Sequence, residues 1–115
     1  MANKFGIPET VLAEIAARDR QCVYCQKVML YPYMGDVPRD SATIEHLNFD
    51  GPFYWGRGLR AEDIVMCCGS CNSSRGRKTL PEWFASAYCV ERNITAETVA
   101  RPVREYLGRP RGRRK

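Results

Sequence analysis

The first clear rhythm along the chain is helical. Val11, Leu12, Ile15 and Ala16 recur at the three-and-four spacing of a single helix face, with polar residues between them. Pro8 suits a first helical turn, where its missing N–H costs nothing, and Glu9 favours the positive helix start. The spacing predicts a short amphipathic helix over 8–19, after a loose segment over 1–7. The period then changes. Val28-Met29-Leu30 reads as a brief strand, and the Pro- and Gly-punctuated stretch from Tyr31 to Pro38 as loop. Ala42 to Leu47 is β-leaning and ends near a histidine. Ile64 to Cys67 is a second short apolar run, so the two predict an antiparallel pair. Between them lies a Gly- and aromatic-rich connection, 48–60, with one helical turn expected from Leu59 to Asp63. Ser70 is a candidate N-cap for a helix over 70–77. Pro81 opens another helix, with Trp83, Phe84, Ala87 and Tyr88 on its apolar side. Thr95 is placed to cap a last helix through Glu97 and Val99, which Pro102 should break or restart. Few strands among several helices make this an α+β chain.

Length and charge narrow the picture. At 115 residues the chain fits one domain, drawn here as 1–108, followed by a basic tail over 109–115 without apolar residues. That composition predicts a disordered tail. The net charge of +5 favours an anionic partner, nucleic acid being the usual one. The first residues lack the apolar core of a secretory signal, and no run approaches the ~18 apolar residues of a membrane span. The expectation is an intracellular, cytoplasmic protein.

Six cysteines in such a chain point to metal rather than disulfides. Cys22/Cys25 and Cys68/Cys71 form two Cys-x-x-Cys pairs. A short loop brings two thiolates to one ion, and four thiolates give a closed tetrahedral zinc site at Zn–S ~2.3 Å. A closed site has no open position, so this zinc would hold the fold rather than do chemistry. A redox pair would need a βαβ context, which the pattern lacks. Cys67 fits a buried strand and Cys89 a helical core position.

The only histidine, His46, is then free for other work, with Glu45 beside it and Asn72 directly after the last cysteine of the second pair. A neutral imidazole with a pKa near ~6.5 is suited to taking a proton from water. Glu45 offers a hard oxygen for Mg²⁺ or Mn²⁺, and Asn72 an amide oxygen. An ion held by two protein oxygens keeps positions open for phosphate and water. On a strand, Glu45 and His46 point to opposite faces, so the strand must end or twist there for both to serve one site.

Thr43-Ile44-Glu45-His46-Leu47, then Gly56-x-Gly58, then Glu62-Asp63-Ile64-Val65-x-x-Cys68-x-x-Cys71-Asn72-x-x-Arg75-Gly76-x-Lys78 resembles the HNH endonuclease family, in particular its zinc-stapled branch with two Cys-x-x-Cys pairs. The resemblance spans about residues 20–80. It implies a small treble-clef or ββα-metal finger stapled by a four-cysteine zinc site, flanked by N- and C-terminal helices. It implies His46 as the general base that activates water against a phosphodiester. Glu45 stands where the family usually has Asp, and Asn72 where a subclass has Asn as the second catalytic-metal ligand. Arg75 matches a common Lys position and is expected to meet phosphate, with Lys78 assisting. Asp63 stands where the family has a loop-pinning Asn; Asp accepts hydrogen bonds but lacks the amide donor.

Arg57, Arg60, Arg75, Arg77 and Lys78 cluster in sequence around this site and suit nucleic-acid phosphates. Tyr54 and Trp55 could stack on bases, but their glycine-flanked setting favours packing. The leading expectation is a metal-dependent DNA endonuclease, nicking as a monomer, with structural Zn²⁺ and catalytic Mg²⁺ or Mn²⁺. The alternative is a non-catalytic zinc-stapled nucleic-acid-binding module. With no separate sequence-reading module in view, specificity would be low or supplied by a protein partner.

Overall fold

A computed structural model describes residues 3–109. Helix α1 spans Glu9–Arg18, with Glu9 in its first turn, Arg18 in its last and Ile15 buried. Residue Asp19 ends it, its N–H reaching the Ile15 carbonyl at 2.9 Å. The Asp19 carboxylate is itself buried. It accepts Arg18 Nε at 2.6 Å and the Met66 N–H at 3.0 Å, which ties the end of the helix to the sheet.

The sheet has two antiparallel strands, β1 (Ala42–His46) and β2 (Ile64–Cys68), paired Ala42 with Cys68 through His46 with Ile64. All of β2 is buried, whereas Thr43, Ile44 and His46 of β1 are only half-buried. A 3₁₀ turn, Ala61–Asp63, leads into β2, and the Leu47 N–H extends the pairing to the Asp63 carbonyl at 2.8 Å. The expected strand at 28–30 is reduced to isolated bridges from Val28 to Gln21 and from Leu30 to Ser41. Three residues cannot sustain a ladder without a continuous neighbour.

Helix α2 is Gly69–Arg75. Its N-cap is Cys68, whose sulfur accepts the Cys71 N–H, and not Ser70, whose hydroxyl pairs with Tyr88 Oη at 2.9 Å. The helix expected around Trp83 to Tyr88 is two: α3 (Leu80–Phe84), opened by a Thr79–Glu82 capping box, and α4 (Ala87–Arg92), capped by Ser86. The Ser86 side chain turns the chain by binding the Cys89 N–H, a local alternative to continuing the helix. Thr95 and Thr98 close a turn, and α5 (Arg101–Leu107) starts with Pro102 in its first turn, so the proline restarts the helix.

The core gathers Ile15, Tyr24, Leu47, Ile64, Val65, Trp83, Cys89, Val99 and Val103. Trp83 stands edge-on to Tyr24 at 4.8 Å, and its indole N–H reaches Ser74 Oγ at 2.9 Å. Trp55 packs against the core, as its setting suggested, and Tyr54 stays exposed. The segment before α1 is structured from residue 3. Asn3 accepts the Phe5 and Ile7 N–H groups, and Ile7 is buried. At the other end, Arg109 Nη1 reaches Asp63 at 3.1 Å, and the rest of the expected tail lies outside the described residues. Among the described residues no helix is long and apolar enough to cross a membrane.

Candidate functional site

The four predicted cysteines meet. The sulfurs of Cys22, Cys25, Cys68 and Cys71 all lie within 4.8 Å of one another, and Cys25 and Cys68 are 3.8 Å apart. Four sulfurs around zinc at ~2.3 Å would stand about 3.8 Å apart, so a metal ion such as zinc fits this donor set. The local chain is shaped for it. The N–H groups of Tyr24 and Cys25 point at Cys22 Sγ, at 3.4 and 3.5 Å. Gln26 takes a left-handed φ of 73°, which lets its N–H return to the Cys22 carbonyl at 3.0 Å. Cys67 points elsewhere and is fully buried against Thr43, where burial pushes its thiol up.

A cleft of about 970 Å³ curls around β1. His46, Glu45 and Asn72 all line it, so the edge strand brings residues from both of its faces to one space. His46 closes β1. Its Nε2 lies 3.1 Å from the Phe53 carbonyl, and the ring is held edge-on between Phe5 at 4.3 Å and Phe53 at 5.4 Å. A carbonyl only accepts, so in the neutral ring Nε2 carries the proton and Nδ1 keeps its lone pair. Burial lowers the imidazole's pKa below its ordinary value, with the Phe53 carbonyl and Asp63 pulling the other way.

Glu45 is buried, and its Oε2 accepts both Tyr24 Oη and Arg75 Nη1, each at 2.7 Å. Its other oxygen takes no hydrogen bond among the described residues. Burial raises the carboxyl's pKa, while the Arg75 charge and both hydrogen bonds favour the carboxylate. Asn72 donates its amide to Thr43 Oγ1 at 2.9 Å and to the Ile44 carbonyl at 3.2 Å, which pins α2 to β1. Its side-chain oxygen is not used in those bonds.

Arg75 is placed differently from the phosphate contact expected of it. Its side chain is 2% exposed and turned inward. Besides Glu45 it binds the carbonyls of His46 at 3.0 Å, Leu47 at 2.9 Å and Lys78 at 2.9 Å. Its guanidinium locks the end of β1 to the end of α2. Arg57, Arg60, Arg77 and Lys78 are exposed. Asp63 is buried, receives Arg109, and offers its carbonyl to Leu47, so it holds the strand end through backbone and charge.

Two contributors were not foreseen. Tyr24, inside the first cysteine knuckle, reaches across to Glu45; its position between two ligands was the available signal. Asn48 is fully buried and grips the Pro52 carbonyl at 2.8 Å, shaping the loop that presents Phe53 to His46. Its place two residues after the histidine, ahead of Gly51-Pro52, was the only hint. Comparison with family models, with curated proteins and with solved structures finds no match to this chain.

Proposed function

We propose that the protein is a metal-dependent nuclease of HNH type, built on a treble-clef finger in which the cysteine knuckle, the β1–β2 hairpin and α2 share one structural zinc. The observation that carries this reading is His46: half-buried at the end of an edge strand, lining the cleft, with Nε2 tied to a carbonyl and Nδ1 left as a base. His46 Nδ1 takes the proton from an attacking water. A lowered pKa keeps it in the basic form at neutral pH. Glu45 and Asn72 both line the cleft, and each has one side-chain oxygen with no hydrogen bond among the described residues, a hard-donor pair suited to Mg²⁺ or Mn²⁺. That ion, when bound, supplies Lewis-acid stabilisation of the leaving oxygen. Arg75 acts from behind, holding the Glu45 carboxylate and the His46 carbonyl. The exposed Arg57, Arg60, Arg77 and Lys78 supply phosphate contacts for DNA.

The test is supercoiled-plasmid nicking by zinc-loaded protein with and without Mg²⁺ or Mn²⁺, comparing wild type with His46→Ala. Metal-dependent nicking that disappears in the variant, with DNA binding kept, is the expected result. No cleavage by wild type in any metal sinks the reading. A second reading, a non-catalytic zinc-stapled nucleic-acid-binding module, draws on the Glu45–Arg75 pair: a carboxylate already neutralised at 2.7 Å is a weaker ligand for a second ion.

A further inference from the structure

The cleft beside His46 is more apolar than a phosphodiester needs. A phosphate backbone requires cations and N–H donors, yet Phe5, Tyr33 and Phe53 line this space together with Leu12 and Met66. Phe5 and Phe53 also clamp the His46 ring, so the aromatic surface and the candidate base belong to one wall. Tyr33 is 55% exposed and makes no hydrogen bond through its hydroxyl among the described residues, which leaves it available to a ligand. Asn48 braces this wall from behind, fully buried, its amide holding the Pro52 carbonyl next to Phe53. The cleft therefore offers flat apolar faces. Three cations and the carboxylates of Glu9 and Glu45 line it as well; Arg75 is tied to Glu45, while Lys4 and Arg77 are exposed and in no ion pair among the described residues.

From this combination we infer that the cleft receives an unpaired nucleobase, so that the preferred substrate is single-stranded DNA or a single-stranded segment within a duplex. The inference rests on the nuclease reading and names its substrate class. A nucleobase presents a planar apolar face for Phe and Tyr side chains. Those faces, and its Watson–Crick edge, are free to enter a cleft only when it is unpaired. The sugar-phosphate on either side then runs toward Lys4 and Arg77, and the adjacent phosphodiester comes beside His46 Nδ1. A stacked base pair cannot enter a cleft that wraps a strand edge, because its edges are joined to its partner and its faces to its neighbours.

The experiment is equilibrium binding without divalent metal beyond the structural zinc, so that cleavage plays no part. Zinc-loaded protein is titrated with a fluorescent single-stranded oligonucleotide, the same strand in duplex, and the single strand carrying one abasic site at successive positions. Base–aromatic stacking is worth about 5- to 150-fold per base. The expected result is single-strand binding tighter than duplex, with one abasic position weakening it by about that factor, and Tyr33→Ala removing most of the difference. Equal or tighter duplex binding, or no abasic position that matters, overturns the inference while leaving the nuclease reading intact. Binding to neither form overturns both. Because Tyr33 is exposed, its variant keeps the fold, and the abasic series needs no change to the protein.

Discussion

Replacing Arg75 by Leu tests the buried lock at the end of β1. In the folded protein the Arg75 guanidinium and the Glu45 carboxylate are 2% and 6% exposed and 2.7 Å apart. Removing one partner of such a pair leaves an uncompensated buried charge, at a cost of about 3–5 kcal/mol. Three backbone carbonyls, of His46, Leu47 and Lys78, lose their donor at the same time, which adds to the loss. A domain of this length has a total stability of roughly 6–17 kcal/mol. The variant should therefore lose a sizeable share of it. In urea denaturation of zinc-loaded protein at pH 7, the midpoint should fall by at least about 1 M, given slopes of roughly 1–3 kcal/mol/M. The double variant Glu45→Leu/Arg75→Leu should lose less than the two single variants summed, since no charge is stranded. A loss under about 1 kcal/mol in Arg75→Leu, the level of a solvent-exposed ion pair, refutes the reasoning. Arg75 would then be free to meet phosphate, as its sequence position first suggested.

Other consequences are as direct. Cys25→Ser should abolish the stoichiometric zinc measured by elemental analysis and remove the cooperative melting transition, because a structural zinc site contributes folding energy outright; a native melt in the variant argues against a structural metal. His46, as the only histidine, gives an unambiguous NMR titration. Its midpoint should lie below ~6.5, since burial penalises the charged ring; the stability that depends on the neutral ring is present above the unfolded value and is lost as pH falls through the folded one. A midpoint at or above ~6.5 contradicts the dominance of burial over the Phe53 carbonyl and Asp63 at this ring. A Cβ on Gly69 would stand 1.9 Å from the Pro38 carbonyl oxygen, so Gly69→Ala should cost on the order of 1–3 kcal/mol in thermal melts, whereas Gly35→Ala, with nothing within 4 Å, serves as the neutral control.

Much of this was legible in the chain because the signals are local. Two Cys-x-x-Cys spacings are enough to place two sulfurs of each pair on one ion, and the fold had only to bring the pairs together. The strand at 42–46 and the helix after Cys68 follow from short apolar runs and from a sulfur that caps what it also prepares for metal. Where local chemistry competes with periodicity, the pattern misleads. Ser86 cuts one predicted helix into two, and Val28 to Leu30 has no continuous partner strand.

What the sequence determined, then, is the inventory: two cysteine pairs able to share a metal ion, one histidine beside a carboxylate, an amide after the last cysteine, and a set of basic side chains. What the tertiary structure alone decided is the use of each side chain. Glu45 and Arg75 are 30 positions apart, and nothing in either's surroundings in sequence says that they will share a buried contact. That Phe53 would supply the carbonyl for His46, that Asp19 would tie α1 to Met66, and that Asn48 would be buried with an unused oxygen depend on which segments face each other. Burial sets the cost of an unpaired charge or acceptor, and burial is a property of the packed chain rather than of any residue within it.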